Sequence, residues 1–105
     1  MSEDDLYWAV TTGSRKRPGL CKRLGVRWFH ATVAQRSVPG YPDLTLVGRQ
    51  GVAFRELKSE DGVLRPEQRE WRDALLMAGA DWAIWRPSDY ESGRVEKELR
   101  ALAGK

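Results

Sequence analysis

One cysteine and one histidine are the only thiol and imidazole ligands that this chain of 105 residues contains. Cys21 has no partner for an internal disulfide, and a Cys/His zinc cluster is excluded. Its thiol reads as a small buried hydrophobe rather than a nucleophile. No apolar run reaches the length of a membrane span, so no membrane partner is expected. The acidic start Ser2-Glu3-Asp4-Asp5 is unlike a signal peptide, and an intracellular, cytoplasmic setting is expected. Repeats and low-complexity linkers are also missing. The length supports one hydrophobic core and not two, so residues 1–105 are expected to form a single domain.

The most pointed absence is of one sign of charge. Between Leu6 and Pro42 there is no Asp or Glu, while Arg15, Lys16, Arg17, Lys22, Arg23, Arg27 and Arg36 all lie there. The net charge is only +3, so this half is a basic surface set against acids elsewhere. A polyanionic backbone is its natural partner, because phosphate neutralisation releases counterions and steers association. Arg15, Lys16, Arg17, Lys22, Arg23 and Arg36 are the candidate phosphate contacts. A basic run can also be a solvated loop without a ligand, and only an adjoining site tips the balance.

That site is supplied by Pro39 to Gln68. Asp43 follows Pro42 and opens the apolar run Leu44 to Val47. The turn signal Gly48-Arg49-Gln50-Gly51 leads into Val52 to Leu57, a β-hairpin pattern. Side chains two apart on a strand share a face, so Glu56 and Lys58 project with Phe54, while Arg55 and Leu57 point the other way. Asp43 comes within reach of Glu56 across the hairpin if the register cooperates. Two carboxylates and a lysine around one point suit a hard divalent cation, which needs few protein ligands beside water and substrate phosphate. Each half also has a bland reading: Pro-Asp as a turn, and Glu-X-Lys as a solvated cross-strand pattern.

The ordered set Gly40-Tyr41-Pro42-Asp43-Leu44, Glu56-Leu57-Lys58, Gly62-Val63-Leu64, Pro66-Glu67-Gln68 and Trp71, continuing through Gly79 and Trp85-Arg86-Pro87, resembles the VRR-NUC family of the PD-(D/E)XK nuclease superfamily. The resemblance covers well over half the chain. It implies that Asp43 and Glu56 hold Mg²⁺ or Mn²⁺, with the Leu57 backbone carbonyl as third ligand. It further implies that Lys58 assists the attacking water and that Gln68 completes the pattern. Glu3 matches an acid on the family's first helix, although Glu3, Asp4 and Asp5 also serve as helix-dipole partners. The chain departs from the family at Tyr7, where a Gln is usual, and in an insertion at Gly13 to Arg17.

Around this centre, Ser2 is an N-cap for a helix over Glu3 to Thr12. The basic triplet Arg15-Lys16-Arg17 reads as a mobile loop, and Pro18 as the opening of a helix through Leu24. Val26 to Thr32 forms a strand with Val26, Trp28 and His30 on one face, in a sheet covered on both sides. His30 is a general base or ligand on one reading, and a structural hydrogen-bonder on the other. Glu60 and Asp61 flank a turn glycine and read as solvated. Pro66 opens a helix to Met77 or Ala78 with a buried stripe of Trp71, Ala74, Leu75 and Ala78, from which Gln68 faces the sheet. Asp81 to Arg86 is a strand ended by Pro87-Ser88-Asp89. A last helix over Ser92 to Leu102 packs Val95, Leu99 and Leu102 on the sheet.

The expected fold is therefore α/β, a mixed sheet of about four strands flanked by helices. The resemblance makes it a restriction-endonuclease-like PD-(D/E)XK core. The expected function is a metal-dependent, structure-selective DNA endonuclease. No recognition helix or zinc finger is present to read bases. Branched DNA, in particular a four-way junction cut by a homodimer in a bacterial or phage-infected host, is the substrate that the resemblance favours. Flap cleavage or nicking, and a non-catalytic DNA-binding module on a nuclease scaffold, are the alternatives. The dimer interface would be built from the exposed faces of the Trp-rich strands or from the first helix with Trp8, unless all five Trp are core.

Overall fold

The computed structural model describes residues 1–31 and 38–105. The elements are α1 (Glu3–Val10), α2 (Leu20–Leu24), β1 (Arg27–His30), β2 (Leu44–Gly48), β3 (Gly51–Leu57), α3 (Pro66–Met77), β4 (Asp81–Trp85), α4 (Pro87–Glu91) and α5 (Arg94–Ala103). Thr32 of the expected first strand and the candidate phosphate contact Arg36 lie outside the described residues.

The four strands form one sheet in the order β1-β2-β3-β4. The β1–β2 and β2–β3 pairs are antiparallel, and β4 joins β3 in parallel. The hairpin closes tightly because Gly48 pairs with Gly51, leaving only Arg49 and Gln50 in the turn. A parallel partner cannot follow through a tight turn, so the chain crosses over through α3 before β4.

Strand alternation divides the sheet into two faces. Trp28, His30, Leu44, Leu46, Ala53, Arg55, Leu57 and Trp85 share the face that meets the core helices. There Leu6, Val10, Leu20, Leu24, Val95, Leu99 and Ala103 are buried against Leu44, Leu46 and Trp85. Each fully buried leucine contributes about 2 kcal/mol by transfer from water. Arg55 lies among them at 4% exposure. Its guanidinium is matched by Asp81 at 2.9 Å and Glu98 at 3.3 Å, and stacks on the Trp85 ring at 5.2 Å.

The other face is only partly covered, which corrects the expectation of a sheet buried on both sides. Phe29 is 51% exposed, and Val47 and Val52 also face water. Helix α3 covers the β3–β4 half, where Trp71 meets Tyr41 edge-on at 5.0 Å and Tyr41 meets Phe54. Because α3 spans so little of the sheet, Ala74 and Ala78 are exposed rather than part of a buried stripe. Trp71 and Leu75 are half-buried, and Gln68 is the helix's buried residue.

Three local expectations change as well. The basic triplet sits in a closed turn: Ser14 N–H donates to the Arg17 carbonyl at 2.9 Å, Arg17 N–H to Ser14 Oγ at 3.1 Å, and Gly13 bridges Pro18. Gly13 at φ +69° and Gly19 leave no room for a Cβ, since one on either would lie 2.3 or 2.2 Å from a backbone oxygen. Pro87 does not merely stop β4. It also starts α4, because its fixed φ suits a first helical position. Pro18 does not open the second helix, which begins at Leu20 with Gly19 as its N-cap, because Pro18 is held in the bridge to Gly13.

Candidate active site

The register of the hairpin decides the site. Leu44 pairs with Arg55, so one residue further Asp43 falls opposite Glu56, on the face shared with Phe54 and Lys58. At this end of the ladder the Asp43 side chain substitutes for a strand: Oδ2 accepts the Leu57 N–H at 2.8 Å. That bond fixes the carboxylate's direction and satisfies a donor that β2 no longer reaches.

Glu56 is 2% exposed, a depth at which an acid needs partners. Burial, and then the hydrogen-bonding and charge of Asp43, push its carboxyl up to about 9, against the opposing pull of Lys58. Gln68 meets it from α3, donating from Nε2 to Glu56 Oε1 at 3.2 Å. The same amide's Oε1 accepts the Arg65 N–H at 2.8 Å, which caps α3 where Arg65 itself has no capping side chain. One residue thus orients the carboxylate and closes the helix start.

Glu3 reaches the same centre from α1. Partial burial and then the Asp43 charge raise its pKa, while Lys58 and Arg65 lower it. Ser2 caps this helix in a reciprocal box with Asp5. Of the acidic trio, therefore, Asp5 serves the helix end while Glu3 is felt by the site. Arg65 was missed as a site neighbour. Its place before the Pro66 helix start was readable in the sequence, but its proximity to Glu3 was not.

The chain thus brings together Asp43, Glu56, Lys58, Gln68 and Glu3. Arg15, Lys16, Arg17, Lys22 and Arg23 are exposed around the far end of α1, about 12 Å along its axis at 1.5 Å per residue. His30 lies on the core face, stacked on Tyr7 with ring centroids 4.3 Å apart, a packing role. Burial pushes the Cys21 thiol up to about 12, so it is no nucleophile. Glu60 is not simply solvated, because its carboxylate accepts the Ser88 N–H at the start of α4.

Among the described residues no three His, Cys, Asp or Glu side chains form a ready metal cage. The donor set on offer is smaller: two facing carboxylates and the Leu57 backbone. Glu56, buried against the Asp43 carboxylate, is costly to ionise without a cation beside it, and a hard divalent ion that keeps most of its waters fits that need. A groove of about 500 Å³ lined by Gln50, Arg55, Asp81, Arg94 and Glu98 lies at the other face and holds none of these residues. There the charges already pair with one another.

This α/β arrangement is the restriction-endonuclease-like fold. A solved structure described as a VRR_NUC domain protein shares it with a TM-score of 0.58 at 20% sequence identity, covering 99% of this chain and 89% of that one. No protein-family profile and no curated protein sequence matches the chain. Among the described residues no helix is long and apolar enough to cross a membrane.

Proposed function

We propose that the chain is a VRR-NUC-type endonuclease that hydrolyses phosphodiester bonds in DNA with Mg²⁺ or Mn²⁺. The observation that carries this reading is the placement of Asp43 opposite buried Glu56, each oriented by its own hydrogen bond, from Leu57 and Gln68 respectively. The likeness to a VRR_NUC domain structure and the acid-free basic half support it.

Asp43, Glu56 and the Leu57 carbonyl would hold the ion. When bound, such an ion polarises the scissile phosphate and makes a water acidic enough to attack. Lys58 orients that water through its ammonium and offsets charge developing at phosphorus. Gln68 holds Glu56 in place, and Glu3 bounds the site from α1. In-line attack leaves a 5′-phosphate. The turn at Arg15-Lys16-Arg17, with Lys22 and Arg23, contacts backbone phosphates well away from the cut, which positions DNA without reading its sequence.

Selection is therefore of DNA structure, and a branched substrate such as a four-way junction is the finer reading. Paired incisions there call for a two-fold dimer. Trp85 is buried in the core and Trp28 and Trp82 are half-buried, so the surface on offer is the exposed face of β1 at Phe29, 51% exposed, and the first helix at Trp8, 54% exposed. A cytoplasmic setting goes with such a substrate.

Purified protein incubated with four-way junction, flap, single-stranded and duplex DNA, with and without Mg²⁺ or Mn²⁺, tests this reading. Metal-dependent cuts concentrated on branched DNA are expected, with paired incisions from a dimer in sedimentation. A monomer that nicks junctions and linear duplexes alike would overturn the junction and dimer reading. Binding with no cleavage in any metal would mean a DNA-binding module instead.

A further inference from the structure

Lys58 is followed at once by the turn Ser59 to Gly62, which is fastened to the start of α4 rather than left free. The Arg86 Nη1 donates to the carbonyls of Ser59 at 2.6 Å, Glu60 at 3.1 Å and Gly62 at 2.8 Å. Three carbonyl dipoles converging on one guanidinium nitrogen make a strong tie. The Glu60 carboxylate adds a second tie by accepting the Ser88 N–H. The backbone of Lys58 is anchored to the same neighbour, its N–H donating to the Trp85 carbonyl at 3.1 Å.

The gathered turn closes on the lysine itself. A Cβ built on Gly62 would lie 3.3 Å from Lys58 Cδ and 3.0 Å from Ser59 Oγ, so the bare glycine backbone is the wall against which the lysine's stem lies. A lysine has a long rotatable stem and about 2 kcal/mol of rotamer entropy to lose when its ammonium is fixed. A misplacement of about 1 Å can cost roughly 100-fold in rate.

We propose that Arg86 and Gly62 are positioning residues for Lys58: Arg86 draws the turn together, and Gly62 allows it to pack against the lysine stem, so that the ammonium is held at the site before substrate arrives. This rests on the reading of Lys58 as the water-orienting lysine. Neither residue touches the reacting atoms, so the effect belongs on kcat and not on DNA binding.

The test compares wild type with Gly62→Ala, Gly62→Val, Arg86→Ala and Arg86→Lys on one junction substrate in Mg²⁺, with melting of each protein recorded. Expected are an ordered fall in kcat from Gly to Ala to Val, at least tenfold for Gly62→Val and Arg86→Ala, with KM within twofold. Arg86→Lys should retain more activity than Arg86→Ala, and added guanidinium should partly restore Arg86→Ala. A second readout needs neither metal nor DNA. The two Hε protons of Lys58, assigned in NMR spectra with Lys58→Arg, should be inequivalent in wild type and degenerate in Gly62→Val and Arg86→Ala. Should Arg86→Ala fail to fold, the glycine pair still decides. Folded Gly62→Val with wild-type kcat and inequivalent Hε protons would overturn the proposal. A wild-type protein that cuts no DNA would sink the nuclease reading alone, while the NMR comparison would still settle whether this turn holds Lys58.

Discussion

Gln68 binds Glu56 through Nε2 at 3.2 Å while capping its own helix through Oε1 at 2.8 Å. The two bonds fix the amide's direction, because only the oxygen can accept the Arg65 N–H and only the nitrogen can donate to a carboxylate. Gln68→Ala should therefore cost about 1 kcal/mol through the lost cap, measured by urea denaturation. It should also cut the cleavage rate by more than that stability loss explains. Gln68→Glu keeps the cap acceptor and places a third carboxylate beside Glu56 and Asp43, so it should retain stability at low pH and lose activity more completely.

Glu56 gives the metal-free protein a pH dependence of defined sign. Below its ordinary value of 4.5 the carboxyl is protonated whether the chain is folded or not, and it costs nothing. As pH rises from 4.5 towards about 9 the unfolded chain releases this proton and the folded chain keeps it, so stability falls. The slope cannot exceed about 1.4 kcal/mol per pH unit from one group. Melting of wild type and Glu56→Gln in chelator from pH 5 to 9 should show the variant flatter and more stable at the alkaline end. Mg²⁺ should raise the wild-type midpoint most at high pH, where the carboxylate is ready to bind it.

Arg55 sits on the same strand but serves the opposite face. It is 4% exposed and tied to Asp81 and Glu98, so its removal leaves Glu98 short of a partner beside the core. Arg55→Ala is expected to destabilise by about 3 kcal/mol, and Arg55→Met by less, in denaturant titrations. Cleavage per folded molecule should stay near wild type.

The closed basic turn should act on affinity. Replacing Arg15, Lys16 and Arg17 together by Ala should reduce the slope of log K against log salt by roughly 2 to 3, about 0.9 per lost phosphate contact. Its kcat at saturating DNA should change little. Gly13→Ala, which sets a Cβ 2.3 Å from the Arg17 carbonyl oxygen, should weaken binding while keeping every charge. An unchanged salt slope in the triple variant would remove this turn from the DNA interface.

The hairpin and its acids were legible because local rules set them. Glycines flanking two turn residues fix the register, and register plus alternation bring Asp43 and Glu56 to one face. Pro66 likewise marked the start of α3. The rest depended on residues distant in sequence. Alternation placed Arg55 opposite Glu56 but could not show that Asp81 and Glu98 bury it. Glu60 read as a solvated turn acid because its partner, the Ser88 N–H, belongs to a helix starting at Pro87, a residue read only as the end of the strand. Nor does helical spacing on α3 reveal how much sheet there is to cover, so Ala74 and Ala78 were expected inside and are exposed.

The central claim is that Asp43 and Glu56 form one metal-dependent hydrolytic centre. Its most direct measurement is the cleavage rate of a labelled four-way junction by wild type, Asp43→Ala, Glu56→Gln and the Asp43→Ala/Glu56→Ala double variant, in Mg²⁺ and in excess chelator. Cleavage is expected from wild type in Mg²⁺ only, and none from the variants although they fold and still bind the junction. Cleavage that persists in chelator, or in the double variant, would contradict it.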